Sequence, residues 1–73
     1  MDTRELELFL QVADSLSFSR AAERKHLSLS AVSRTIQRLE AAVGRRLFER
    51  DRRSVRLTEA GREFAAYARE AVA

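Results

Sequence analysis

The chain has 73 residues with 14 basic and 11 acidic side chains, a net charge of +3, one histidine, two glycines, and neither cysteine nor proline. That length holds one domain with a small core, since a domain of roughly 60 residues buries only about 60% of its unfolded surface. The composition excludes a disulfide framework and a thiolate metal site, leaves no ligand set around the lone His26, and offers no apolar run of the roughly 18 residues that a membrane span needs. The start, Met1-Asp2-Thr3-Arg4-Glu5, is not a secretory n-region, so a cytoplasmic location is expected. With so few breaks the chain should be mostly helical.

The first predicted helix begins at Asp2, which with Glu5 forms a capping box, and Met1 and Leu6 stand at the staple positions. Leu6, Phe9, Leu10 and Ala13 follow helical spacing, with Leu16 beyond, and the helix should end near Ser15. A short second helix follows, capped by Ser17 or Ser19. Its small Ala21 and Ala22 allow another helix close, and Arg24 and Lys25 suit its negative C-terminal end. His26-Leu27 forms the turn. Ser28 caps a third helix, on which Val32, Ile36, Leu39 and Val43 make one apolar stripe, and Gly44 sits where a left-handed residue is wanted. Its other face carries Ser30, Ser33, Arg34, Gln37, Arg38 and Ala41.

After Gly44 the period changes. Leu47-Phe48-Glu49 and Val55-Arg56-Leu57 read as two short strands, joined by the polar tip Arg50-Asp51-Arg52-Arg53-Ser54. Thr58 caps a fourth helix with the stripe Phe64, Ala68 and Ala71, and Tyr67 beside Phe64. The chain stops inside that helix without a capping signal, so it is expected to be the front end of a longer protein, divided into a domain over 1–58 and the start of a linker helix over 59–73.

The charge is unevenly spread. Residues 34–56 hold eight arginines against Glu40, Glu49 and Asp51, while the segments on either side are each net −1. Thirteen of the fourteen cations are arginine, whose planar fork suits phosphates and guanine edges. A clustered basic face is the footprint of a nucleic-acid binder.

This order of elements predicts a mainly α fold, a winged helix-turn-helix with a three-helix core, a small two-stranded wing and a following helix. The major groove admits one α-helix, and a second helix across it sets its angle. The entering helix needs an apolar back and an uncrowded polar front, which helix 3, over about 29–43, supplies. Ser30 and Ser33 can reach base or phosphate oxygens, and Arg34 can bond a guanine at two places. Ser28, Gln37 and Arg38 are candidates for the DNA backbone. Arg52 and Arg53 at the tip of the 50–54 wing suit a narrow minor groove.

Several stretches also resemble the N-terminal DNA-binding domain of the LysR-type transcriptional regulators. They are Leu6-Glu7-Leu8-Phe9, Ser17-Phe18-Ser19-Arg20-Ala21-Ala22, Ala31-Val32-Ser33-Arg34-Thr35-Ile36-Gln37-Arg38-Leu39-Glu40, Gly44-Arg45-Arg46-Leu47-Phe48-Glu49-Arg50 and Leu57-Thr58-Glu59-Ala60-Gly61. In that order they cover nearly the whole chain. The resemblance implies a longer bacterial regulator in which an effector-binding domain follows this one. It also implies a homodimer through the fourth helix, reading two halves of an interrupted palindrome. Base contacts carry over to positions 29, 30, 33 and 34, and a wing contact to Arg53. The sequence departs from the family at the first two, where Leu29 and Ser30 replace a frequent Gln and Pro. Leu29 can touch a thymine methyl or fold back as a staple.

The resemblance makes Phe64, Tyr67, Ala68 and Ala71 the dimerisation candidates; the alternative is that this stripe packs on helix 1 of the same chain. Phe9, Phe18 and Phe48 lie on apolar periodicities and are expected in the core rather than as stacking platforms. The competing functions are a winged helix used only for protein contacts, which would favour aromatics on the front of helix 3, and an enzyme. No nucleophile–base pair, phosphate loop or metal cluster supports the last. No cofactor is expected in this domain, and a small-molecule effector is expected for the full-length protein.

Overall fold

Each of the four helices begins where a short oxygen-bearing side chain takes up an amide that the helix cannot pair. In the computed structural model, which describes residues 1–73, the amides of Glu5, Arg20, Ala31 and Gly61 donate to the side chains of Asp2 (2.9 Å), Ser17 (3.1 Å), Ser28 (3.1 Å) and Thr58 (2.9 Å). The helices are α1 (Thr3–Ser15), α2 (Phe18–Lys25), α3 (Leu29–Val43) and α4 (Glu59–Val72). Ser17, not Ser19, caps α2. The capping box at α1 is complete, but Met1 is 59% exposed and does not close a staple over the buried Leu6.

Three helices end on a left-handed residue: Leu16 (φ 52°), His26 (φ 57°) and Gly44 (φ 80°). Gly44 meets that geometry without strain. Leu16 and His26 accept it because their amides close the last turns of α1 and α2. The short connection from His26 to Ser28 then swings the chain from α2 into α3.

Strands β1 (Phe48–Arg50) and β2 (Val55–Leu57) pair antiparallel, with Phe48 opposite Leu57, Glu49 opposite Arg56 and Arg50 opposite Val55. The first strand starts one residue later than the sequence suggests. The wing is tied to the helices at two points. Glu40 on α3 accepts the amides of Leu47 (2.8 Å) and Phe48 (3.4 Å), with the Arg46 Nε at 3.7 Å. Thr58 donates through its hydroxyl to the Arg46 carbonyl (2.6 Å) and through its amide to the Leu47 carbonyl (3.0 Å). Gly61 lies against that same backbone. A β-carbon there would overlap the Leu47 carbonyl oxygen and stand 2.9 Å from Leu57 Cδ2, so only glycine lets α4 approach so closely.

The core is built around four phenylalanines. Phe9 on α1 is fully buried, with its ring centroid 5.2 Å from Phe48 and 4.9 Å from Phe64, edge-on to the latter; Phe18 stands 5.8 Å from Phe48. Each pair joins two elements. Val32, Ile36 and Leu39 bring the back of α3 to the same core, and Val43 is partly buried at its edge. On α1 the stripe is wider than its helical spacing predicts. Leu8 and Val12 are buried, Leu10 is half-buried and Leu16 is exposed. The reason is that α1 contacts α2, α3 and α4 at once, so more than one side of it is covered.

The fourth helix corrects the reading of its stripe. Phe64 and Ala68 are buried in this chain's own core, at 7% and 0% exposure, and are not available to a partner helix. Packing on α1 claims them, reinforced by the Arg69 guanidinium on the Asp14 carboxylate (2.8 and 3.4 Å). Tyr67, at 53% exposure, and Ala71 face outward. No helix is long and apolar enough to cross a membrane.

Candidate nucleic-acid interface

The front of α3 and the wing face each other across an open cleft of about 500 Å³. Its walls include Leu29 and Ser33 of α3, Ser17 and Ser19 at the start of α2, and Arg50, Arg52 and Arg53 of the wing. The fold therefore brings the uncharged start of α3 against the basic wing, which follows it by some twenty residues in sequence. Ser30 and Arg34 are exposed on the same N-terminal turns of α3, outside the cleft wall. Leu29 is 51% exposed, so it has not folded back as a staple. The Ser28 hydroxyl caps α3 and lies 3.3 Å from the Ser30 hydroxyl, which ties these two side chains together.

A second, smaller cleft adjoins the first. Ser33 and Gln37 of α3 line it with Arg46 and Arg50. Arg38 lies elsewhere. Its guanidinium donates to Glu5 (3.1 Å) and approaches the Thr35 hydroxyl (3.4 Å), in a recess lined by Asp2, Arg4, Lys25 and Leu27. The pairing of Arg38 with Glu5 places it between α1 and α3, away from the wing cleft. As an exposed ion pair it contributes at most about 1 kcal/mol.

The wing tip is shaped by one carboxylate. The Asp51 Oδ1 accepts the amides of Arg53 and Ser54, both at 2.8 Å, and the Ser54 hydroxyl at 3.3 Å. These bonds, the Arg53 amide first, hold the Asp51 carboxyl below its ordinary pKa of 3.8. With the turn satisfied from within, Arg52 and Arg53 stay exposed at the tip.

Of the eight arginines in 34–56, only Arg38 and Arg46 have a carboxylate within 4.0 Å; Arg34, Arg45, Arg50, Arg52, Arg53 and Arg56 have none. Unpaired guanidiniums around a cleft make a positive field that attracts polyanions. The start of α2, with Ser17 and Ser19, and the strand residue Arg50 are wall residues that were not among the sequence candidates. Strand alternation was the available signal for Arg50, since it shares a face with Phe48. No group of three or more His, Cys, Asp or Glu side chains is placed to hold a metal.

Two helices meeting through a short turn, the second with an apolar back and a polar front, and a basic hairpin beside it define a winged helix-turn-helix. The family model for "Bacterial regulatory helix-turn-helix protein, lysR family" matches residues 3–62, and the chain belongs to that family. The chain is 50% identical over 70 residues to the HTH-type transcriptional activator IlvY of Salmonella typhimurium, covering 96% of this chain and 24% of that protein. It is 49% identical over all 73 residues to the HTH-type transcriptional regulator ShiR of Corynebacterium glutamicum, covering 25% of it. The chain thus spans about a quarter of the length of the relatives it matches.

Among solved structures, the complex of the CbnR DNA-binding domain with DNA superposes at a TM-score of 0.93 with 39% identity, covering 99% of this chain and 83% of that one. The complex of the BenM DNA-binding domain with catB site 1 DNA superposes at 0.92 with 36% identity, covering 99% and 80%.

Proposed function

We infer that this chain is the sequence-specific duplex-DNA-binding module of a bacterial, cytoplasmic transcription regulator, with α3 in the major groove and the 50–54 wing in the minor groove. The observation that carries this is the cleft between the front of α3 and the wing, rimmed by arginines that have no carboxylate partner. Family membership and the likeness to DNA-binding domains solved on DNA support it. Arg34 and Ser33 are assigned to base edges, with Ser30 beside them. Leu29 has no polar side-chain atom, so at its position it selects for a thymine methyl rather than for adenine. Arg52 and Arg53 enter the minor groove, and Ser28 and Gln37 contact the backbone.

The module acts as a homodimer on an interrupted palindrome. Of the α4 candidates, Tyr67 and Ala71 face outward and are available to the partner's helix. The quarter-length match to the relatives supports a longer protein, in which α4 leads toward a domain that binds a small-molecule effector. Selection from a random duplex pool at moderate salt tests the whole reading. Enrichment of an inverted repeat is the expected result; recovery of no sequence, with binding that merely fades as salt rises, would leave only nonspecific phosphate attraction.

A further inference from the structure

The row of aromatic rings in the core does not stop at the surface. The Phe9 ring meets Phe48 at a tilt of 45°, Phe48 meets Phe18 edge-on at 69°, and the guanidinium carbon of Arg50 stands 4.3 Å from the centroid of the Phe18 ring. The strand explains the placement. Phe48 and Arg50 are two residues apart on β1 and share a face, while Glu49 points the other way. Phe18 is itself buried, so Arg50 is laid on a ring that the core holds still.

A guanidinium stacked on an aromatic face loses water from that face and keeps its in-plane N–H donors free. Arg50 has no carboxylate within 4.0 Å to use them. With Ser33 it also stands where the two clefts meet, with the wing tip on one side and Gln37 and Arg46 on the other. A cation held in one place, with free planar donors and polar neighbours, suits an anion with oxygens at its corners.

We propose that Arg50, positioned by the ring of Phe18, is a binding site for a backbone phosphate of duplex DNA, on the strand that passes between the front of α3 and the base of the wing. The proposal rests on the DNA-binding reading above. A phosphate contact fixes the register of the protein on the duplex and carries no sequence information. Arg50 therefore contributes equally on every sequence, whereas Arg34 discriminates between them.

Two substitutions separate the charge from the packing. Arg50→Met keeps an apolar stem on the ring and removes the charge and the donors; Arg50→Lys keeps the charge and loses the planar fork. Each is measured with the duplex enriched from the random pool and with a shuffled version of it, over a range of salt, with a thermal melt alongside. Arg50→Met should weaken binding to both duplexes by the same factor, about tenfold, and reduce the slope of log affinity against log salt by about 0.9, with the melting temperature kept. Arg50→Lys should keep the slope. An unchanged slope for Arg50→Met, whether or not the protein melts earlier, makes Arg50 a packing residue and overturns the proposal. A loss confined to the enriched duplex also overturns it, because Arg50 then reads bases. If the unsubstituted chain binds neither duplex, the DNA-binding reading fails first and this site falls with it.

Discussion

The aromatic hub and the arginine rim are built from opposite surroundings. In the hub every buried residue is apolar, and each phenylalanine contacts another across an element boundary. On the rim the arginines are exposed, and Arg50, Arg52 and Arg53 lack a carboxylate partner. Burial stabilises the hub by removing apolar surface from water. The rim contributes little to folding, because exposed charges are well solvated, and is available to a polyanion for the same reason. Folding and binding should therefore be separable by substitution almost everywhere.

The largest effect is expected in the hub. Phe64→Ala should cost about 3–5 kcal/mol, comparable to the whole stability of a small domain, seen as an early or absent melt. If it only weakened self-association and left the melt in place, Phe64 would belong to a dimer interface and the hub would stop at three rings. Gly61→Ala tests the seam between hub and wing. Its β-carbon would meet the Leu47 carbonyl and Leu57, and the overpacking should cost about 1–3 kcal/mol in a urea melt.

On the rim, Arg34→Ala should cost about 1–3 kcal/mol of binding and relax the preference at one base pair. Its melting temperature should stay put; a matching drop in stability would break the separation. Ser28→Ala sits on both sides of the line. Loss of the cap of α3 should cost about 1 kcal/mol of stability, and affinity should fall with the frayed helix start.

The smallest effect concerns Asp51. Its pKa is lower in the folded chain than its ordinary value of 3.8, so the turn it closes is fully stabilised above that value. The stabilisation is lost as pH falls through the folded value. In an NMR acid titration the Arg53 and Ser54 amide signals should shift with a midpoint below 3.8. Amides that ignore the titration would mean that the tip is held without Asp51.

Much of this was legible in the residues. Capping needs one short polar side chain and a local amide, so Asp2, Ser28 and Thr58 announced three helix starts on their own. The stripe on α3 and the polar front opposite it are local as well. The stripes of α1 and α4 were less legible, because helical spacing states which residues share a face and not how many neighbours cover it. Leu8, Val12, Phe64 and Ala68 are buried by such neighbours. Arg38 stands one turn from Arg34, and only the tertiary structure shows that its guanidinium pairs with Glu5, 33 residues away.

The sequence by itself determined the order of the elements, the helix starts and the basic segment, because each depends on residues within a few positions of one another. Tertiary structure alone decided that Glu40 would hold the start of the wing, that Phe64 would close the hub, and that Arg50 would lie on Phe18. Those contacts join residues from different elements, and which ones meet depends on how the whole core packs.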